Sequence, residues 1–335
     1  MFNVAINGLG RIGRATLKIL SSRQEMHLVA VNDLVPVPDL AYLLKFDSVY
    51  GRWDRPVGLD GGNLRIGGTK VRVLSHRDPA LLPWRELGVD LVFECTGMFR
   101  NREDLVKHIS AGASYVILSA PSKNEDVPTI VHAVNSAPRT PAQVISCASC
   151  TTNCITPVVE VMGRRIGIRK ATMTTIHAYT STQTIVDAVA KDLRRGRAAA
   201  VNLVPASTGA AIATTRALPQ YAGHFDGVAV RVPVPVGSLA DIVFMTSRST
   251  STEEVNGIFC EEAATERYRD VLGITDEPIV SSDVIGQSFA SIIDLTMTQV
   301  VDGDLVKLMS WYDNEWGYAS QMVREAAAVA GGGAS

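Results

Sequence analysis

The first half of the chain alternates short apolar segments with amphipathic ones. The apolar segments carry few polar side chains, which is typical of parallel strands buried on both faces. The amphipathic segments between them predict crossover helices. We therefore expect a doubly wound parallel sheet whose strands include residues 3–7, 28–32, 91–95, 115–119 and 144–147.

The pattern changes after Gly163, where polar and apolar residues interleave. Interleaving of this kind predicts a largely antiparallel mixed sheet with one packed face, in an α+β domain. Residues 177–205 fit neither pattern, and a long ordered loop is more often functional than idle. A helix predicted over 316–330 is expected to return to the first domain. The strands of the second sheet are expected within residues 170–180, 227–234, 240–248, 291–300 and 305–313.

Composition narrows the possible partners and the location. A length of 335 residues favours two domains. Charged residues make up 20% and nearly cancel to a net charge of -2, so nothing general indicates nucleic acid or an anionic membrane as partner. No apolar run is long enough to span a bilayer, and the first residues do not resemble a signal peptide. Five cysteines, an odd and sparse set, indicate reduced thiols and a cytoplasmic location.

A glycine motif follows the first predicted strand. Gly8, Gly10 and Gly13 form GxGxxG at the start of a helix, where glycines allow backbone amides to approach a pyrophosphate. Asp33 ends the second strand, where a carboxylate accepts hydrogen bonds from an adenosine ribose. Its charge would repel a 2'-phosphate, so NAD is favoured over NADP. The alternative is a glycine turn with an incidental acid.

Cys150 is the candidate nucleophile. The segment SCASCTTNC places it between a strand and a helix, with Ser149 suited to cap that helix. A thiol in the first helical turn meets the positive end of the dipole, which favours the thiolate. Metal binding is rejected, because no further cysteine or histidine pair follows at ligand spacing. The remaining cysteines are expected to be packed or buried side chains: Cys95, Cys147, Cys154 and Cys260.

A base and an anion site are predicted in the second half. Among six histidines, only His177 lies in a segment whose other features look catalytic, and the rest are expected to be structural. Hydroxyls, a Thr-Gly amide pair and arginines suit a phosphate. Surface charge is the alternative for the arginine run. These groups are Arg194, Arg195, Arg197, the segment STGAA at 207–211, and Arg231, which lies between apolar neighbours.

Seven segments occur together in one order: INGLGRIGR, SCASCTTNC, HAYTSTQ, DLRRGRAA, PASTGAA, VRVPVP and WYDNEWGY. In that order and spacing, over nearly the whole chain, the sequence resembles the phosphorylating glyceraldehyde-3-phosphate dehydrogenases. The resemblance implies a cytoplasmic homotetramer. It also implies an N-terminal Rossmann domain over residues 1–149, joined by a C-terminal helix at 316–335, and a catalytic domain over 150–315.

The resemblance also implies roles for individual residues. The nucleophile is Cys150 and the base is His177. Thr180, Thr182 and Arg231 would bind the substrate's own phosphate. The attacking inorganic phosphate would meet Ser149, Thr151, Arg195, Thr208 and Gly209. Besides the three glycines, the cofactor would contact Arg11, Ile12, Asp33, Arg77, Ser119 and Asn314.

The implied reaction is oxidation of glyceraldehyde 3-phosphate to 1,3-bisphosphoglycerate through a cysteine thioester, in glycolysis or gluconeogenesis. The alternatives are an erythrose-4-phosphate dehydrogenase and a non-catalytic redox or RNA-binding relative. Intact HAYT and STGAA segments argue against the first, and the near-neutral charge argues against RNA. Where NAD-dependent relatives often have Leu-Pro, this chain has Ala188 and Val189, and the missing proline leaves room near the adenosine 2'-position. NAD is therefore expected through Asp33, with some NADP use not excluded.

Overall fold

The computed structural model describes residues 2–136 and 144–331. The chain forms two compact units. The first contains residues 2–130, 144–148 and 322–331, and the second contains residues 131–136 and 149–321. Within the described residues no helix is both long and apolar enough to cross a membrane.

The first unit is built on a sheet of eight strands among its described residues, in the order β10-β9-β8-β1-β2-β7-β6-β5. From β10 to β7 all neighbours are parallel, whereas β7, β6 and β5 are antiparallel. The elements are β1 Phe2–Asn7, α1 Arg11–Leu20, β2 Met26–Asn32, α2 Val37–Lys45, β3 Phe46–Asp47, β4 Gly51–Arg52, β5 Val57–Asp60, β6 Asn63–Ile66, β7 Thr69–Leu74, β8 Leu91–Glu94, α3 Arg102–Ser110, β9 Tyr115–Leu118 and β10 Val144–Ser146.

The predicted doubly wound parallel sheet is confirmed. Its central strands are mostly apolar, and β8 is buried along its whole length, so their apolar residues form the core with the apolar face of α1. Strands β5, β6 and β7 were not predicted from the sequence. These strands are only four to six residues long and include exposed positions, so their apolar pattern is weak.

The second unit is built on a mixed sheet in the order β12-β13-β11-β14-β18-β16-β15, with β17 also paired to β18. The pairs β11–β13 and β15–β16 are parallel and the other pairs are antiparallel among the described strands. The elements are α4 Cys150–Arg165, β11 Ile168–Ala178, β12 Val204–Ser207, α5 Ala210–Ala217, β13 Phe225–Val232, β14 Ser238–Thr246, α6 Thr252–Ala263, β15 Leu272–Thr275, β16 Ser291–Asp294, β17 Gln299–Val301, β18 Leu305–Tyr312 and α7 Trp316–Ala330.

The largely antiparallel sheet with one packed face is also confirmed. Buried residues alternate with more exposed ones along β14 and β18. The buried face packs against the buried, mostly apolar middle of α4. One predicted strand is wrong: residues 291–300 form two strands separated by a 3-10 turn. The turn forms because the Asp294 side chain accepts a hydrogen bond from the Thr296 amide at 3.1 Å.

The helix α7 begins in the second unit and continues into the first from Met322 onward. Met322, Val323 and Ala326 are fully buried in the core of the first unit. The predicted helix over 316–330 is therefore present, with its second half in the first unit. Residues 332–335, at the end of the longer predicted segment 316–335, lie outside the described residues.

Candidate active site

The glycine motif forms a tight turn between β1 and α1. Gly8 has a φ of +93°, and a Cβ there would lie 2.7 Å from the Thr96 amide nitrogen. A Cβ on Gly13 would lie 1.9 Å from the Gly8 carbonyl oxygen. At Gly10, by contrast, a Cβ would meet no described atom within 4 Å. The outer glycines are therefore required by packing, whereas the middle one faces open space.

This open space suits the pyrophosphate of a dinucleotide. Helix α1 begins at Arg11, and no side chain of the described residues caps it at Gly10. The first amides of a helix have no intrahelical acceptor and carry partial positive charge, so they bind anions. No acidic residue lies in the first turn to compete for them. The residues present therefore fit a bound dinucleotide at this position.

Asp33 follows β2 and holds the same turn. Its Oδ2 accepts a hydrogen bond from the Leu9 amide at 2.7 Å, and its Oδ1 accepts one from the Val35 amide at 2.9 Å. Each carboxylate oxygen has two lone pairs, so each can accept one more donor. The geometry is compatible with the predicted contact to a ribose diol.

The other predicted cofactor residues of the first unit differ in their surroundings. Arg11 pairs with Asp47 at 2.6 Å and lies over the Tyr50 ring. Ile12 is half-buried, Arg77 is exposed after β7, and Ser119 follows β9. Arg77 and Ser119 follow the carboxyl ends of strands that pair in parallel, as Gly8 and Asp33 do. That edge is where ligands bind in doubly wound folds.

Cys150 is the first residue of α4. The Ser149 hydroxyl caps this helix by accepting a hydrogen bond from the Thr152 amide at 3.2 Å. His177 lies at the end of β11, and its Nε2 is 3.4 Å from the Cys150 Sγ. Helix start and strand end thus bring together the two residues that the sequence analysis selected as nucleophile and base.

The imidazole of His177 is held from its other side. Its Nδ1 lies 2.7 Å from the Ala178 carbonyl oxygen, which can only accept, and 2.5 Å from an Arg231 guanidinium nitrogen, which can only donate. The tautomer that donates from Nδ1 to the carbonyl is the one that suits a base. That tautomer leaves Nε2 as a proton acceptor facing the thiol. Arg231, paired with His177 in the parallel register of β11 and β13, donates to the same carbonyl at 2.9 Å. Burial, together with the Arg231 charge, lowers the pKa of His177 to about 3, so the ring is neutral.

The surroundings of the Cys150 thiol act on its pKa in opposite directions. Burial raises the pKa of Cys150, while the Arg231 charge, the Thr151 hydroxyl and backbone amides act in the opposite direction. Burial is the larger effect. The amides at the helix start therefore favour the thiolate but do not outweigh burial, so the thiol needs a neighbouring base to react as a nucleophile.

Tyr312 completes the site and was not predicted. Its hydroxyl contacts the hydroxyls of Thr151 at 2.9 Å and Thr175 at 2.8 Å, and its ring meets that of His177 edge-on at 5.9 Å. Burial raises the pKa of Tyr312 well above its usual value, so the phenol stays protonated. The alternation along β18, which turns Tyr312 inward, is the signal that could have identified it.

Asn314 is buried near the end of β18. Its Oδ1 accepts hydrogen bonds from the Gly237 amide at 3.2 Å and the Ser238 hydroxyl at 3.0 Å. The Ser238 hydroxyl in turn accepts one from the Ala178 amide at 3.2 Å. Ser238, which the sequence analysis missed, thus connects Asn314 to the strand end that carries His177.

The predicted substrate-phosphate residues form two groups. The hydroxyls of Thr180 and Thr182 lie 2.9 Å apart and are solvent-accessible. Burial lowers the pKa of Arg231, and the positive charge of Arg195 acts in the same direction. The structure gives no described contact between the threonine pair and Arg231.

Most of the residues predicted to bind inorganic phosphate already make hydrogen bonds within the protein. The hydroxyl of Ser149 caps α4, and that of Thr151 is paired with Tyr312. Arg195 donates to the Ser207 carbonyl at 3.4 Å. The Thr208 hydroxyl accepts a hydrogen bond from the first amide of α5, and Gly209 has no described atom within 4 Å of a Cβ position.

The remaining cysteines are all free thiols. Cys147 and Cys154 are buried, as predicted, but the prediction for Cys260 is wrong because it is exposed on α6. Its position there faces away from the apolar stripe that includes Val255 and Phe259. Among residues 2–136 and 144–331, no group of three or more histidine, cysteine, aspartate or glutamate side chains is placed to hold a metal.

Comparison with known proteins matches both parts of the chain. Residues 2–102 match the family model "Glyceraldehyde 3-phosphate dehydrogenase, NAD binding domain", and residues 149–314 match the corresponding "C-terminal domain". Glyceraldehyde-3-phosphate dehydrogenase 2 of Streptomyces avermitilis is 47% identical over 323 residues, 96% of each chain. The enzyme of Geobacillus stearothermophilus is 46% identical over 332 residues, 98% of each chain. Glyceraldehyde-3-phosphate dehydrogenase 1 of Bacillus subtilis is 46% identical over 329 residues, 98% of each chain.

Proposed function

Because the chain belongs to the glyceraldehyde 3-phosphate dehydrogenase family, we propose that it oxidises glyceraldehyde 3-phosphate with NAD and phosphate to 1,3-bisphosphoglycerate. The observation that carries the proposal is the 3.4 Å approach of the Cys150 Sγ to the His177 Nε2. A nucleophile and a neutral base at this distance are what thioester chemistry requires.

In the first step the Cys150 sulfur bonds to the aldehyde carbon, and its proton passes to the His177 Nε2. The backbone amide of Cys150 and the protonated His177 stabilise the oxyanion, which takes up the proton to give a hemithioacetal. NAD, when bound, supplies the acceptor for the hydride that leaves the substrate carbon. His177 removes the hydroxyl proton as the thioester forms.

In the second step an oxygen of inorganic phosphate bonds to the thioester carbon, and the carbon–sulfur bond breaks. The acyl phosphate leaves, His177 returns its proton to the Cys150 sulfur, and the proton of the attacking phosphate is released to solvent, so the thiol can react again. Because phosphate rather than water attacks, the energy of the thioester is retained in the product. Ser149, Thr151, Arg195, Thr208 and Gly209 are the proposed ligands of this phosphate.

The substrate's own phosphate is assigned to Thr180, Thr182 and Arg231. Two hydroxyls and a permanent cation form a suitable donor set for phosphate oxygens. The partly desolvated guanidinium of Arg231 also supports this role, because a buried cation gains from an anionic partner. Its contact with the Ala178 carbonyl keeps it next to the reacting groups.

For the cofactor, Gly8, Gly10 and Gly13 would hold the pyrophosphate and Asp33 the ribose. Asn314 would orient the nicotinamide amide, since its oxygen is already fixed by Gly237 and Ser238. The other proposed contacts are Arg11, Ile12, Arg77 and Ser119. The dinucleotide-binding domain is proposed to span 1–149 with the helix 316–335, and the catalytic domain 150–315.

A homotetramer is proposed from the family and from the loop between β11 and β12. In this loop Ile185, Val186, Val189, Leu193 and Leu203 are all at least 69% exposed, which is unusual for a run of large apolar side chains. A second copy of the chain would cover them. The free thiols are consistent with the reducing conditions of a cytoplasm, which is the proposed location.

The test is an assay of NAD and NADP reduction with glyceraldehyde 3-phosphate, with and without inorganic phosphate. We expect turnover that requires phosphate and a preference for NAD through Asp33. One equivalent of iodoacetamide should abolish it by modifying Cys150. Phosphate-independent oxidation of erythrose 4-phosphate in place of this activity would contradict the proposal, and a preference for NADP would contradict the role of Asp33.

A further inference from the structure

A buried polar network lies at the carboxyl ends of β1, β2 and β8 in the first unit. At its centre is the carboxylate of Glu94, whose side chain is fully inaccessible to solvent. Asn7 donates to Glu94 Oε2 at 2.6 Å, and the Thr96 amide donates to Oε1 at 2.8 Å. The Thr96 hydroxyl donates to the same Oε1. A carboxylate is the natural acceptor for this many donors.

On the other side of Glu94, the network continues through His108 to Trp84. The indole N–H of Trp84 donates to His108 Nδ1 at 3.0 Å. Because an indole can only donate, Nδ1 must be the acceptor and the imidazole proton must lie on Nε2. That proton points to Glu94 Oε2 at 3.2 Å. Trp84 and His108 are themselves fully buried, so the helix α3 is tied to the same carboxylate.

The network reaches the glycine turn by two routes. Asn7 directly precedes Gly8 and also accepts a hydrogen bond from Asn32, the last residue of β2, at 2.7 Å. On the other route, Glu94 holds Thr96, whose amide nitrogen would lie 2.7 Å from a Cβ at Gly8. The carboxylate therefore fixes both chain segments that pack against Gly8, and it also fixes the strand end that precedes Asp33.

We propose that Glu94 is a positioning residue for dinucleotide binding. Its carboxylate joins the ends of β1 and β8 so that the turn at Gly8 and the Thr96 backbone keep the shape that accepts the cofactor. It does not contact the cofactor. A buried carboxylate in an apolar sheet is costly unless donors satisfy it, and two of the three described residues that donate to Glu94, Asn7 and Thr96, belong to these segments. The inference rests on the proposed dinucleotide site at Gly8, Gly10 and Asp33.

The test compares variants by calorimetric titration with NAD, by thermal unfolding and by the KM for each substrate. Glu94→Gln keeps the size but places an NH2 group against donors. We expect its Kd and KM for NAD to rise about tenfold, the effect of one charged hydrogen bond. The KM for glyceraldehyde 3-phosphate and the alkylation rate of Cys150 should stay within about twofold of the parent.

Trp84→Phe is the matched control, because it removes the donor to His108 and leaves Thr96 and Asn7 untouched. It should lower the unfolding temperature with little change in the Kd for NAD. If Glu94→Gln does not fold, Thr96→Val, which removes only the hydroxyl, should still weaken NAD binding. An unchanged Kd in a folded Glu94 or Thr96 variant overturns the inference. Asp33→Asn separates the two proposals: if it also leaves the Kd unchanged, the dinucleotide site itself is misassigned.

Discussion

Two helices that follow strands, α1 and α4, begin with opposite arrangements. At α1 the residue before the helix is Gly10, which has no side chain and faces open space. At α4 the corresponding residue is Ser149, whose hydroxyl accepts from the Thr152 amide and satisfies one donor of the first turn. The first helix therefore offers its amides to an outside anion, whereas the second uses its start to place a reactive side chain of its own.

The difference shows how one physical feature serves two purposes. The positive end of a helix attracts negative charge from whatever source is nearest. Without a capping side chain, that source is a ligand. With a serine cap and a cysteine in the next position, it is the sulfur of Cys150 once that sulfur has lost its proton. Burial makes that sulfur less ready to lose its proton, and the charge of Arg231 acts in the opposite direction.

The largest effect is expected from replacing the nucleophile. Cys150→Ser should lower turnover by at least about a thousandfold, because a hydroxyl with a neutral imidazole beside it is a much weaker nucleophile. NADH formation measures the loss. Cys260→Ser, which changes an exposed thiol on α6, is the control and should keep parental turnover. Substantial activity in Cys150→Ser would show that the start of α4 does not place the nucleophile.

The base is expected to contribute the next largest effect. His177→Asn should lower kcat by about a hundredfold or more, the usual contribution of a positioned base. Single-turnover measurements with saturating substrate would locate the loss in the chemical steps. Iodoacetamide should still modify Cys150 in this variant, which would show that the nucleophile remains in place. A kcat within tenfold of the parent would argue that another group accepts the proton.

A methyl group at the middle glycine tests the open start of α1. Gly10 has a φ of -64° and no neighbour of its Cβ position within 4 Å, so Gly10→Ala should fold normally. Its Kd for NAD, measured by calorimetric titration, should rise about tenfold, because the methyl lies where the pyrophosphate approaches. Gly8→Ala is the contrast. Strain at φ +93° and a 2.7 Å contact should lower its unfolding temperature instead. Unchanged NAD binding in Gly10→Ala would place the anion elsewhere.

The smallest effect is expected at the cap of α4. Ser149→Ala should cost about 1 kcal/mol of stability, measured by denaturant unfolding. Ser251 caps α6 in the same way, accepting from the Glu254 amide at 3.2 Å, so Ser251→Ala is a matched control for the lost cap. Only Ser149→Ala should also slow the phosphate-dependent rate. Equal activities of the two variants would mean that Ser149 serves only as a cap.

Much of the fold follows from local patterns. Apolar strand segments such as residues 91–93 of β8 and 116–118 of β9 predict a buried parallel sheet because both of their faces must leave water. Interleaved segments such as β14 predict a sheet with one packed face. The pattern fails for β5 and β6, since short hairpins with exposed positions carry little periodic signal. It also fails at Asp294, where hydrogen bonds from Thr296 to the aspartate side chain end a strand.

By itself the sequence determined the chemistry that local position controls: a glycine turn before a helix, a cysteine at a helix start and a histidine at a strand end. Only the tertiary structure decided how these groups are tuned. Tyr312 and Arg231 reach His177 through strand pairings across long stretches of chain, and Glu94 joins strand ends that are distant in sequence. Burial, which raises the pKa of Cys150 and lowers that of His177, depends on the whole packed core. No short segment contains that information, because desolvation is a property of everything that surrounds a residue.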